Sequence, residues 1–171
     1  MFSNALLKTK ELGNQEVSLI QVSGLSYRQT DVELRERFTV TAETHRQTLE
    51  HLKSIPGVQE AVVISTCNRT EIVTALPEEQ YPQGFAENLL GVFETLSGLH
   101  RKKFAEQLYH LQKQDAVAHI FRVASGLDSM ILGEPQVLGQ LKSAYHFAKS
   151  YGTTHLMLNR LFHRAFPFVR I

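Results

Sequence analysis

The only cysteine of the chain, Cys67, stands in Ser65-Thr66-Cys67-Asn68-Arg69-Thr70-Glu71, directly past the apolar run Ala61-Val62-Val63-Ile64. A cysteine used as a small hydrophobe belongs inside such a run, because free Cys is among the most buried residue types. At the edge of a strand, entering a polar loop, a thiol is rigidly supported and reachable. Nucleophilic chemistry needs the thiolate, and a neighbouring cation such as Arg69, or local backbone amides, can lower a thiol from its usual value of about 8.5. The bland alternative is an inert cysteine in an ordinary polar turn, and the local pattern leaves both open.

A second polar constellation runs from Ser125 to Gln136 through Gly126 and Gly133 and carries Ser129, Glu134 and Gln136 close to the start of a helical pattern. Helix N-termini offer unpaired N–H groups, and carboxylate or amide side chains beside them can hold an ammonium or amide group. A helix-helix corner with capping residues explains the same pattern. The two glycines lie seven apart, and no G-x-G-x-x-G follows a strand, so no dinucleotide cofactor site is expected in this chain. Eight histidines form no H-x-x-x-H pair and no cluster with Cys67, so no metal site is expected. His119 lies beside the glycine-bearing junction, on the flank of an apolar helical stripe. An imidazole there is either an interhelical packing residue or a general acid or base. Arg101-Lys102-Lys103 and Arg160, His163, Arg164 and Arg170 read as solvated faces that could meet phosphates only as a weak signal.

These groups need a scaffold, and the sequence outlines one. Val17 to Val22 reads as a strand ended by Ser23-Gly24, preceded by a loose lead-in over residues 1–16. Thr41 is placed to cap a helix over 42–54, stopped by Pro56-Gly57. Strands follow over 58–65 and 70–76, with Thr66 to Arg69 at their connection. Phe85 to Leu96 repeats at helical spacing and closes at Gly98, and Leu108 to Leu111 is a short strand. Asp115 is placed to cap a helix carrying Val117, Ile120, Phe121 and Ala124, and Pro135 opens another that runs to Ser150 before Gly152. The fold class is therefore α+β, with 17–112 mainly strands and interleaved helices and 113–171 mainly helical.

Composition limits the rest. Hydrophobic residues make up 43% of 171, enough for one sizeable core, and 18 basic against 17 acidic residues give a net charge of +1, which announces no polyanionic partner. A lone cysteine forms no internal disulfide, and Met1 to Gln15 lacks the apolar stretch of a secretory signal, so a cytoplasmic location is expected, with no membrane.

Ser65-Thr66-Cys67-Asn68-Arg69-Thr70-Glu71-Ile72 and the run Val123 to Tyr145 resemble the two signature segments of the glutamyl-tRNA reductases, and further similarity runs through residues 32–38, 115–127 and 158–166. The resemblance covers the chain from about Val17 onward. It corresponds to the family's N-terminal catalytic domain, which is similar to a ferredoxin-like α+β fold with an added helical subdomain; the family's NADPH-binding and dimerisation domains have no counterpart here. The resemblance implies that Cys67 attacks the ester joining glutamate to its tRNA and that the thioester is reduced by NADPH to glutamate-1-semialdehyde, the first step of tetrapyrrole biosynthesis. It implies that Thr66, Arg69, Ser129, Glu134 and Gln136 line the glutamate pocket, with Arg69 on the side-chain carboxylate and Glu134 on the ammonium, and that His119 assists near the reacting carbonyl. It also implies glutamyl-tRNA as substrate, a homodimer for the full-length enzyme, and glutamate-1-semialdehyde aminomutase as a partner. Without a nicotinamide site, the 171 residues would at most form the acyl-enzyme and hydrolyse the ester; the alternative reading is a non-catalytic module that binds tRNA or protein. Two departures stand out. The family commonly carries His-Lys after the first strand's glycine, where this chain has Leu25-Ser26-Tyr27-Arg28, to which no role is assigned. Pro167 falls where the family runs a long connecting helix, and proline in a helix interior costs about 3 kcal/mol.

Overall fold

A computed structural model describes residues 19–77 and 81–169. The lead-in expected over 1–16 lies outside them. Strands β1 (Leu19–Ser26), β2 (Glu60–Ser65), β3 (Arg69–Leu76) and β4 (Tyr109–Gln112) form one antiparallel sheet in the order β2-β3-β1-β4. Helices α1 (Val32–Glu36), α2 (Ala42–Ser54) and α3 (Phe85–Ser97) interleave with the first three strands, which is the ferredoxin-like order of elements with α1 added. Beyond β4 come α4 (Lys113–Ala124), α5 (Pro135–Tyr151) and α6 (Leu156–Ala165), then a 3₁₀ turn, Phe166–Val169.

β1 and β3 are buried along their whole length, which requires cover on both faces. The alternation of side chains decides what each cover meets. Ser65 and Thr70 hydrogen-bond the backbone of Val40 and Phe38 on the α2 side, whereas Glu60, Arg69 and Glu71 reach α6, the loop after α4, and α4. Leu49, Leu52, Phe85 and Phe93 fill the first layer, and Ile120, Leu141, Tyr145 and Phe162 the second.

Local chemistry sets the ends of the elements. Thr41 caps α2 as expected and forms a reciprocal capping box with Thr44. Pro135 opens α5, and Gly152, at φ +82°, ends it in the left-handed conformation that glycine tolerates. Asp115 does not cap α4. β4 passes straight into that helix through Lys113, itself at φ +54°, so Asp115 lies in the first turn, where a carboxylate still complements the helix dipole. β2 begins at Glu60 rather than Val58, and ahead of it Gln59 N–H bonds the Ala75 carbonyl of β3 (2.9 Å). α6 stops at Ala165, one residue before Phe166-Pro167, as the proline predicts.

Candidate active site

The β2–β3 hairpin presents Cys67 on a turn whose backbone is held at several points. Thr66 N–H donates to the Arg69 carbonyl (2.8 Å), and Asn68 N–H to Thr66 Oγ1 (3.1 Å). Tyr27 N–H donates to the Asn68 carbonyl (2.9 Å) and Arg35 Nε to that of Cys67 (3.4 Å). The Cys67 side chain is exposed, while Asn68 and Arg69, which follow it, are buried. A thiol used for packing does not end up in this position.

Behind the turn lies a buried charge network. Arg69, 3% exposed, donates from Nη1 to Glu71 Oε1 (2.9 Å) and from Nη2 to the backbone carbonyl and Oδ2 of Asp128, the latter at 3.0 Å. Asp128 also accepts from Arg28, at 3.0 Å from Nε and 2.9 Å from Nη2. Glu71 Oε1 accepts further bonds from the Tyr109 hydroxyl and His119 Nε2, while Glu71 Oε2 is buried without a partner among the described residues. Burial alone would raise the Glu71 pKa, but the bonds from His119, Arg69 and Tyr109 hold it at about 2, so Glu71 stays a carboxylate. Burial and the Glu71 charge push the Tyr109 phenol well above its ordinary range. Burial works against the Arg69 charge, and the neighbouring carboxylates outweigh it, holding the guanidinium above its ordinary value.

Gly24 makes room for this network. It pairs with Glu71 across β1 and β3, and a Cβ there would sit 2.3 Å from the Thr70 carbonyl oxygen and 2.9 Å from Glu71 Cγ. The loop carrying Asp128 closes on itself where Gly133 N–H meets the Gly126 carbonyl (3.3 Å), both glycines having positive φ.

Thr66, Cys67 and Arg69 therefore share one turn, and Glu71 links Arg69 to His119. His119 is not on the flank of its helix. It is 6% exposed and points at Glu71, and its partner there is a carboxylate rather than Cys67. Arg69 is already engaged by Glu71 and Asp128, so a substrate carboxylate would have to use its remaining N–H groups or displace Asp128. Ser129 is buried next to Asp128. Glu134 precedes α5 and caps none of its N–H groups, and Gln136 is exposed in the first turn. Among the described residues no three His, Cys, Asp or Glu side chains gather as a metal site. Sequence reading missed Glu71, Tyr109, Asp128 and Arg28. The period-two spacing of Arg69 and Glu71 on a strand was a usable signal for the first of these, whereas Asp128 and Arg28, 100 residues apart, offered none.

The model of the glutamyl-tRNA(Glu) reductase N-terminal domain matches residues 23–170. The chain belongs to this family. It is 38% identical over 147 residues to a glutamyl-tRNA reductase of Syntrophus aciditrophicus, covering 86% of this chain and 34% of that protein. Against the enzyme of Syntrophotalea carbinolica it is 43% identical over 145 residues, covering 85% and 32% respectively. The structure of glutamyl-tRNA reductase from Methanopyrus kandleri superposes with a TM-score of 0.65 at 29% identity, over 87% of this chain and 32% of that one. The chain thus spans about a third of the length of these relatives, whose name denotes an oxidoreductase, and its mixed sheet-and-helix fold is that of the family's N-terminal domain.

Proposed function

We propose that this domain supplies the nucleophile and the glutamyl pocket for reduction of glutamyl-tRNA to glutamate-1-semialdehyde, the entry to tetrapyrrole synthesis. The observation that carries the reading is an exposed Cys67 on a turn held by Tyr27, just past β1, and by Arg35 of α1, directly ahead of a buried Arg69–Glu71–His119 network. The Cys67 thiolate attacks the ester carbonyl of the aminoacyl group, the carbon–sulfur bond forms, and the carbon–oxygen bond to the tRNA terminal ribose breaks, the departing oxygen taking a proton. The resulting thioester is poorly resonance-stabilised and has a good leaving group, so a hard reduction is divided into two easier steps.

The protein's own residues have separate roles in this reading. Arg69 attracts the side-chain carboxylate, and Asp128, bound to it now, opposes entry until the loop of residues 126–133 shifts. Glu134, whose side chain caps nothing, meets the ammonium with Ser129, Thr66 and Gln136 around it. His119, oriented by Glu71, is the proton donor near the reacting carbonyl. The described residues do not fit NADPH: a four-stranded antiparallel sheet offers no parallel βαβ unit and no glycine-rich strand-to-helix turn for its pyrophosphate. The hydride therefore comes from outside these residues, and this domain alone performs acyl transfer followed by hydrolysis. No helix among the described residues is long and apolar enough to cross a membrane. A cytoplasmic setting, a homodimer in the whole enzyme and delivery of the aldehyde to an aminomutase belong to the same proposal.

The test is incubation with glutamyl-tRNA carrying radiolabelled glutamate, acid quench, and counting of label on the protein. The expected result is a hydroxylamine-sensitive adduct that is absent in Cys67→Ser. No adduct on the native chain, with tRNA affinity retained, would instead identify a binding module.

A further inference from the structure

The near-zero net charge conceals a segregation. Five of the 18 lysines and arginines lie after Glu134, and none of the 17 aspartates and glutamates does. Up to and including Glu134 carboxylates outnumber cations, 17 to 13, and the structure uses them: Arg28, Arg69 and Arg101 are all ion-paired. Lys142 and Lys149 of α5 and Arg160 and Arg164 of α6 are exposed and meet no carboxylate among the described residues. Two nearby carboxylates bear on these helices and both are engaged: Glu50 accepts from the Tyr151 hydroxyl, and Glu60 accepts from the N–H groups of His155, Met157 and Leu158.

The surface also has shape. Arg160 and Arg164, one helical turn apart, wall a groove between α6 and α4 whose floor is apolar, formed by Ile20, Val117, Phe121 and Leu161. Across α6, Lys142 lies 5.8 Å over the Phe166 ring and Lys149 lies 6.0 Å over that of Tyr145. Aromatic faces hold the ammonium groups at the surface without neutralising them. Planar guanidinium forks bind phosphate bidentately, and an apolar floor beside them suits a sugar or base edge.

We propose that the outer surface of α5 and α6, centred on Arg160 and Arg164, is a docking surface for the phosphate backbone of an RNA strand. This rests on the proposed function only in taking that RNA to be the acyl carrier. The charge complementarity is local, which is why the global balance gives no hint of it.

The experiment titrates the 171-residue chain into fluorescently labelled, deacylated tRNA between 50 and 200 mM salt and reads anisotropy. The Arg160→Ala/Arg164→Ala variant is expected to bind roughly tenfold more weakly at 100 mM, with a log-affinity against log-salt slope shallower by about 2. Lys102→Ala/Lys103→Ala, on the separate 3₁₀ turn Arg101–Lys103, is expected to bind like the parent. Melting temperature and the rate of iodoacetamide labelling at Cys67 show that the arginine variant is folded. Parent-like affinity and slope in that variant overturn the proposal, as does failure of the parent to bind. Equally tight binding of the parent to anionic phospholipid vesicles or polyglutamate overturns the choice of RNA. Cys67→Ser separates the two readings: an adduct lost with RNA affinity kept supports both, while an adduct formed with RNA affinity indifferent to Arg160 and Arg164 removes this one alone.

Discussion

Replacing Glu71 by Gln keeps the shape of the side chain and removes the charge on which Arg69, Tyr109 and His119 converge. The magnitude follows from the pKa. Glu71 titrates at about 2 in the folded chain against an ordinary 4.5, and that gap corresponds to about 3 kcal/mol of stabilisation by the ionised form. The sign is that of a depressed carboxylate: the stabilisation is complete above the unfolded value and is lost as pH falls from about 4.5 towards about 2. Urea unfolding of parent and Glu71→Gln at pH 7, 5, 4 and 3 isolates this one group, because every other carboxylate titrates in both proteins. The parent is expected to be about 3 kcal/mol more stable at pH 7 and 5, with the difference shrinking to about 1 kcal/mol at pH 3. A difference that stays constant over the whole range, or a variant as stable as the parent at pH 7, would show that Glu71 is not the charge that keeps Arg69 buried.

Other outcomes follow from the same geometry. Gly24→Ala drives a methyl group into the Thr70 carbonyl and is expected to destabilise by about 2 to 3 kcal/mol, seen as a fall in melting temperature of about 6 to 10 °C. Glu60→Ala strips three N–H groups at the start of α6 of their acceptor, so about 2 to 4 kcal/mol should be lost, and the amides of Met157 and Leu158 should lose protection in hydrogen exchange before those of β1. Cys67→Ser touches only an exposed side chain and should alter unfolding free energy by less than about 0.5 kcal/mol while abolishing the labelled adduct, which separates its chemical role from a structural one. Asp128→Asn removes a charge shared by Arg28 and Arg69 and is expected to speed hydrogen exchange across residues 126–133 while β3 stays protected.

Elements whose signals are local were legible in the sequence. Thr41, Pro135, Gly98 and Gly152 mark ends that depend only on capping or on a left-handed φ. The start of α4 was misread because Asp115 is a good capping residue, yet the edge strand β4 already commits the chain to turn two residues earlier. The prominence of Cys67 came from residue types alone. What surrounds it did not: Arg69 reads from the sequence as a cation beside the thiol and a partner for a substrate carboxylate, and only the closed loop of residues 126–133 shows that Asp128 engages it. His119 was read as lying off the apolar stripe because a buried histidine breaks a hydrophobic pattern, and the carboxylate that makes its burial tolerable sits on a strand 48 residues away.

Successive residues of β3 serve opposite layers, with Thr70 tied to the Phe38 carbonyl on one side and Arg69 and Glu71 bonded on the other. Displacing this strand by a single step would carry a cation and an anion into the layer of Leu49 and Phe93, and bring Thr70 and Ile72 beneath His119. Correct threading of the hairpin and assembly of the polar cluster are consequently one event, so a molecule of this protein is either fully equipped at that turn or not folded there.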